Sequence, residues 1–437
     1  MNRRTTFRSL VLTSVLVVSS AVGAWQAPAA QNPPPAPAEG RGQGAGRGAA
    51  IKSPEVGAHR RATFRLRAPN AKEVAVTLPG GKRLALQKDD QGVWTATSDP
   101  LAPDIYTYSM VVDGLTINDP ANRQFQTSYG SFQTLFMVPG PAAWLPAAGV
   151  PRGAIARHAF HSAIANDDRD FFVYTPPGYD ARRSQAYPVL YLLHGLGDDA
   201  ERWVGAGAAN IILDNLIAEH KALPMVMVTP LGYGTAEGLA GGTRPENILG
   251  YTKILLEEVM PTVEKAYNVS KDRNQRAIAG LSMGGTESLY VGLNHLDKFA
   301  WIAAFSTAPS LWPGVATVPV PAAAVPAAAA PPAPAATPPA SAPRGGGRGT
   351  PQVLDISSLS KAFPNLDAKA NSQLRLLWIV CGTADGLIGP NRQFKEWLKS
   401  KNIQFTEQEV PDMAHVWPLW RQNLTDLAPR LFQPKTK

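Results

Sequence analysis

"RAIAGLSMGG", residues 276–285, decides how the rest of the chain is read. A run of small and apolar residues enters Gly280, and Gly280-Leu281-Ser282-Met283-Gly284 fits the pattern G-x-S-x-G. The pattern alone is weak, because small residues are common; its setting carries the weight. The apolar stretch "RAIAGLS" (276–282) predicts a strand, and "TESLYVGLNHL" (286–296) repeats apolar residues at helical spacing. Ser282 is therefore expected on a sharp strand-to-helix turn. Side chains at positions 280 and 284 would collide with neighbouring backbone in such a turn, so glycine stands there. The helix beginning behind Ser282 aims backbone N–H groups and the positive end of its dipole at the serine hydroxyl.

Working outward, strands alternate with helices from about residue 152. Strands are expected in "FFVYTPP" (171–177), "PVLYLLHG" (188–195), "PMVMVTP" (224–230), "AWIAAFS" (300–306), "LRLLWIVCG" (374–382) and "FTEQEVP" (405–411). Several are continuous apolar runs, as strands covered on both faces require. Helical patterns lie between them in "ENILGYTKILLEEVMPTVEKAY" (246–267) and "NRQFKEWLKSKN" (391–402), and "WPLWRQNLTDLAPRLF" (417–432) closes the chain. This alternation predicts a mostly parallel, doubly wound sheet. The stretch 313–351 is almost entirely Ala, Pro and Gly; it cannot build a core and is expected to loop out.

A serine nucleophile needs a base. In the α/β hydrolases, which this turn resembles, the chain order is serine, then acid, then histidine; of seven histidines, only His295 and His415 follow Ser282. His295 falls on the helix behind the serine and points away along it. His415 falls in "PDMAHVWPLW", a loop between the last strand and the last helix, where such a sheet presents groups at its carboxyl edge. The acid should lie between the two, at the end of another strand. Asp385 in "IVCGTADGLIG" is so placed. Its rivals are Asp355 and Asp367, which are not at strand ends, and Asp412, crowded onto the loop of His415 itself. The acid would hold the imidazole tautomer and stabilise the imidazolium. Two backbone N–H donors for an oxyanion are expected at Met283, directly after the serine, and at Leu196 in "LLHGLGDD", with His194 and Gly195 shaping that loop. Trp203, Trp417 and Trp420 are candidates for an aromatic substrate pocket, each weighed against plain core packing.

Four blocks carry a family resemblance: "YPVLYLLHGLGDDAERWV", "RAIAGLSMGGTESLYVGLNHLDKFAWIAAFS", "CGTADGLIG" and "MAHVWPLWRQNL". From about residue 155 to 432 the chain resembles the esterase D family, most closely the feruloyl esterase domains attached to bacterial xylanases. The resemblance implies an α/β-hydrolase fold and a serine carboxylesterase with Ser282, Asp385 and His415 in its catalytic roles. It also implies a hydroxycinnamoyl or related ester of plant polysaccharide as substrate, and no cofactor. The insert at 313–351 departs from the family in a region that frames the substrate pocket of its relatives, which leaves the acyl specificity open. No clustered Cys/His or H-E-x-x-H spacing points to a metal.

The N-terminal third reads differently. "RATFRLRAP", "EVAVTLPG", "KRLALQKD", "GVWTATSD", "DIYTYSMVVDG" and "FQTLFMVPG" are short alternating segments separated by turn residues. They predict a small antiparallel β-sandwich over 51–140. "PDIYTYSMVVDGLTINDPAN" (103–122) resembles the immunoglobulin-like early-set domains that precede carbohydrate-active catalytic domains. Sugar binding through Trp94, Tyr106 or Tyr108 is weighed against a structural role, since alternation puts both tyrosines on one face. The whole is thus an α/β-hydrolase domain at 152–434 preceded by a small all-β sandwich. That plan also admits a siderophore trilactone esterase of the enterochelin type, or a carbohydrate-binding protein whose hydrolase domain is inactive.

Residues 1–24 have the form of a secretory signal, with Arg3, Arg4 and Arg8 ahead of "LVLTSVLVVSSAVGA" (10–24), and 25–50 read as a Pro/Ala/Gly linker. The lone Cys381 allows no internal disulfide and sits in an apolar strand as a small hydrophobe. An exported protein of the periplasm or the medium, with no membrane span once the leader is cleaved, is the expectation. The formal charge of +8 is no nucleic-acid footprint, because the leader, the linker and the insert account for six of the eight charges.

Overall fold

Each strand around Ser282 sends alternate side chains into two different cores. Val189, Tyr191 and Leu193 enter one, and Leu190 and Leu192 the other. This explains the continuous apolar runs: a strand covered by helices on both faces has no side left for water. The computed structural model describes residues 50–129, 131–319 and 352–434. The expected leader (1–24), all but the last residue of the linker (25–50) and residues 320–351 of the insert lie outside them.

Among the described residues the central sheet has eight strands, here numbered along the chain. They are β1 (Ala154–Ser162), β2 (Asp167–Thr175), β3 (Val189–Leu193), β4 (Val226–Pro230), β5 (Arg276–Leu281), β6 (Trp301–Phe305), β7 (Leu376–Gly382) and β8 (Thr406–Val410). Their spatial order is β1-β2-β4-β3-β5-β6-β7-β8. Neighbours are parallel from β4 to β8, while β2 runs antiparallel to both β1 and β4. The sequence reading omits β1. That strand lies at the sheet edge and is largely exposed, so it carries no apolar run to betray it.

Helices cover both faces. On one, Ile248, Tyr251, Leu255 and Val259 of the long helical stretch 245–266 join Leu289, Val291, Phe394 and Trp397. On the other, Ile212, Leu213 and Leu216 of helix Ala209–Ala218 join Leu419, Trp420, Leu424 and Leu427 of helix Trp417–Leu427.

Ahead of this layer lie two antiparallel sheets built from strands between Glu55 and Val138. In strand Ala62–Arg67, Ala62, Phe64 and Leu66 are buried and alternate with more exposed residues. They meet Val76, Trp94, Tyr108, Met110, Phe136 and Val138 in a common core. Trp94 and Tyr108 are therefore core residues: Trp94 donates from Nε1 to the Ala68 carbonyl at 2.8 Å, and the Tyr108 hydroxyl donates to Asp119 at 2.8 Å. The described residues from Ile51 onward form one compact unit. The two ends of the insert meet as an antiparallel pair, Thr317–Pro319 against Gln352–Leu354. Among the described residues no helix is long and apolar enough to cross a membrane.

Candidate active site

At the end of β5 the backbone of Ser282 turns to φ 53° and ψ −116°, between the strand and helix Met283–Asn294. A positive φ at a non-glycine residue costs roughly 1–3 kcal/mol and persists only where its surroundings impose it. Here they do. The Ser282 N–H donates to the Phe305 carbonyl of β6 at 2.8 Å, and the Ser282 carbonyl accepts from Thr286 N at 3.0 Å. A Cβ on Gly280 would lie 2.5 Å from the Gly284 carbonyl, and one on Gly284 would lie 2.5 Å from the Leu193 carbonyl of β3. The two glycines let three backbone segments close on one another, and this lifts Ser282 above the sheet.

His415 lies on the loop after β8. Its Nδ1–H donates to Asp385 Oδ2 at 2.8 Å. Asp385, on the loop after β7, is 2% exposed, and its Oδ1 accepts the Leu387 N–H at 2.9 Å. Burial works against ionisation of this carboxyl, but the hydrogen bonds from His415 and Leu387 outweigh it and hold the group below the ordinary carboxylate range. The two loops are tied together: Ala384 N donates to the Met413 carbonyl at 3.1 Å, and Asp412 N to the Thr383 hydroxyl at 2.9 Å. Gly382 permits this approach, because a Cβ there would lie 2.7 Å from the Met413 carbonyl carbon. The structure thus pairs His415 with Asp385 rather than Asp412. The ring of Trp420 stands edge-on to His415 at 4.8 Å and fixes its plane.

Ser282 and His415 line one cavity of about 610 Å³. Met283 is the first residue of its helix, where N–H groups lack intrahelical partners. Leu196 lies on the same cavity, in a loop held from several sides. Gly197 N–H donates to the Tyr233 hydroxyl at 2.8 Å, and the Gly197 carbonyl accepts from Tyr129 N of the sandwich at 3.0 Å. Both nitrogens of buried His194 are spent on this loop: Nδ1–H donates to the Gly195 carbonyl, and Nε2 accepts from Gly232 N, each at 2.8 Å. Burial lowers its pKa to about 4, so the ring is neutral and shapes the loop.

Beneath lies Glu287, fully buried on the helix behind the serine. Its Oε1 accepts from Asn247 Nδ2 at 3.2 Å, and burial raises its pKa well above the usual carboxylate range.

Trp417 and Trp420 line the cavity; Trp203 does not. Trp203 is 0% exposed, bonds through Nε1 to the Leu193 carbonyl at 2.8 Å, and packs edge-on behind Trp417 at 5.2 Å. Its expected place in the pocket is corrected: it is core that supports the pocket wall.

Several cavity residues escape the sequence reading. Asp198 and Arg202, four residues apart in a turn, pair at 2.9 Å, a spacing visible in "DDAER". Burial, partly offset by Arg202, raises Asp198 to about 6. The remaining wall, Pro79 and Asp104 to Thr107, comes from the sandwich, and nothing local in the sequence points to it. No described residue at the two ends of the insert lines the cavity. Among the described residues no group of three or more His, Cys, Asp or Glu is arranged to hold a metal ion.

Residues 162–431 match the model of the family described as putative esterase. An endo-1,4-beta-xylanase/feruloyl esterase of Xylanibacter ruminicola is 33% identical over 259 residues, covering 57% of this chain and 35% of that protein. An endo-1,4-beta-xylanase Y of Acetivibrio thermocellus is 29% identical over 153 residues, covering 32% of this chain and 13% of that protein. The chain thus spans about a third or less of the length of the curated relatives it matches. Among solved structures, a ferulic acid esterase of Anaeromyces mucronatus superimposes with a TM-score of 0.52 at 23% identity, over 67% of this chain and 96% of that one. The enterobactin esterase of Shigella flexneri gives 0.55 at 19% identity, over 86% and 94%. These likenesses are of fold. With a G-x-S-x-G turn, an α/β-hydrolase sheet and a family match across 162–431, the chain belongs to the putative esterase family.

Proposed function

We propose that the protein is an exported serine carboxylesterase acting on hydroxycinnamoyl or related esters of plant polysaccharide. The observation that carries the reading is the His415–Asp385 hydrogen bond at 2.8 Å, on the rim of the cavity where strained Ser282 stands. Asp385 keeps the proton on Nδ1, which leaves Nε2 as the base. Nε2 takes the Ser282 proton as Oγ attacks the ester carbonyl. The developing oxyanion receives the N–H groups of Met283 and Leu196. The C–O bond to the alcohol breaks, His415 returns the proton to the leaving oxygen, and an acyl-Ser282 ester remains. Water, deprotonated by His415, then releases the acid. Likeness to the Xylanibacter ruminicola xylanase/feruloyl esterase supports the acyl group, and the secretory form of residues 1–24 supports export to the periplasm or the medium.

A trilactone substrate is the second reading. It is favoured by the greater span of this chain, 86%, that superimposes on the enterobactin esterase. Hydrolysis of methyl ferulate, p-nitrophenyl acetate, acetylated xylan and a catechol trilactone by wild type and Ser282→Ala tests both. Ferulate release by wild type alone supports the first reading. Preference for the trilactone replaces it with the second, and no hydrolysis of any ester refutes both.

A further inference from the structure

We propose that the β-sandwich supplies the specificity wall of the substrate cavity, with Ile105 and Thr107 selecting an aromatic ring that bears a hydroxyl or ether oxygen. The inference rests on the esterase reading above and goes beyond it. The sandwich is then half of the active site rather than a separate sugar-binding module.

The cavity has two unlike sides. One is the carboxyl edge of the catalytic sheet, with Ser282, His415 and Trp417; the other is sandwich strand Asp104–Val112. Along that strand Tyr108 and Met110 enter the sandwich core. Residues of the other parity, Ile105 and Thr107, face the opposite way and lie on the cavity. At about 610 Å³ the space is that of a small-molecule site, which takes its affinity from apolar walls and its orientation from a few polar groups. Ile105 gives an apolar face to the cavity that Trp417 also lines. Among the described residues the Thr107 hydroxyl has no hydrogen-bond partner, whereas the neighbouring Asp104 Oδ1 is occupied by Arg421, Trp144 and Ile105 N. On this wall a ligand hydroxyl therefore finds the Thr107 hydroxyl uncommitted, next to Asp104, whose three bonds all fall on Oδ1.

The wall is held in register with the nucleophile at two joints. At one, Asp104 Oδ1 accepts from Arg421 Nη2 at 2.6 Å, and Arg421 lies on the helix that follows His415. At the other, the sandwich reaches the oxyanion loop. Tyr129 N donates to the Gly197 carbonyl at 3.0 Å, the Thr127 hydroxyl to Glu201 at 3.1 Å, and Arg202 to the Thr127 carbonyl at 3.3 Å. A remote module tethered by a linker would need neither joint. Of the three aromatics weighed as sugar binders against a structural role, Trp94 and Tyr108 are buried in the sandwich core and Tyr106 lines the cavity.

The test compares kcat/KM for methyl ferulate and p-nitrophenyl acetate in wild type, Ile105→Ala and Thr107→Val. Truncating Ile105 should lower the ferulate-to-acetate ratio about tenfold, chiefly through KM. Thr107→Val keeps the shape and removes the hydroxyl, and should lower the ratio roughly three- to tenfold. A ratio within twofold of wild type in both variants, with both esters still cleaved, overturns the wall and leaves the esterase reading standing. If wild type cleaves neither ester, the esterase reading falls, and a binding measurement decides the wall by itself. In that arm free ferulate is titrated into the Ser282→Ala protein with and without each substitution, read by tryptophan fluorescence. Weaker binding by the same factors upholds the wall, and unchanged binding overturns it.

Discussion

Asp104→Ala should destabilise the protein by about 3–5 kcal/mol, the cost of removing one partner of a buried ion pair. Arg421 is 1% exposed and Asp104 14%, and they meet at 2.6 Å. After the substitution the guanidinium keeps only the Ala206 carbonyl at 2.6 Å and the ring of Trp144, 5.8 Å away. The Trp144 indole N–H loses its acceptor as well, which adds about 1 kcal/mol. Burial lowers the pKa of Arg421 and Asp104 works against that shift, so removing Asp104 leaves the buried charge without its counter-ion. Arg421→Met should cost less, because Asp104 keeps two N–H donors and takes up a proton more readily than a guanidinium gives one up. The double variant Asp104→Ala/Arg421→Met should recover at least half of the loss, since apolar replacement of a buried pair is often neutral. Urea unfolding followed by tryptophan fluorescence reads this as a shift in midpoint at constant slope. A cost below about 1 kcal/mol for Asp104→Ala, or a double variant no more stable than the single, would refute the reasoning.

Three further outcomes follow from the geometry. Asp385→Asn should lower kcat on the order of 10⁴-fold with little change in KM, because an amide can hold the wrong imidazole tautomer; steady-state kinetics would show it. Gly284→Ala should abolish esterase activity and cost about 1–3 kcal/mol, since its Cβ would meet the Leu193 carbonyl at 2.5 Å; activity and thermal melting check it together. Asp198, raised to about 6 by burial against the opposing pull of Arg202, binds a proton more tightly folded than unfolded. Its contribution is therefore present below about pH 4 and lost as pH rises to about 6, by at most roughly 3 kcal/mol. Asp198→Asn should flatten the stability profile in that window, and an unflattened profile from urea melts would count against it.

Most of the catalytic half was legible because its signals are local. A strand that must be apolar on both faces announces itself, and glycines at 280 and 284 are demanded by backbone contacts within one turn. Chain order and strand ends pointed to His415 and Asp385 as candidate base and acid, and the structure brings these two side chains together. Edge strand β1 stayed hidden because exposure removes the apolar signal, and Trp203 was misplaced because composition does not separate an aromatic that lines a pocket from one behind it.

The sequence by itself determined the doubly wound sheet, the turn that raises Ser282, and the order of residues along its edge. These follow from periodicity and steric limits that act over a few residues. Only the tertiary structure decided that His415 pairs with Asp385, and that the strand bearing Ile105 and Thr107 closes the cavity over Ser282. Residues 104 and 421 are joined by an ion pair across 317 positions, and no local pattern encodes a contact formed between two separately built layers.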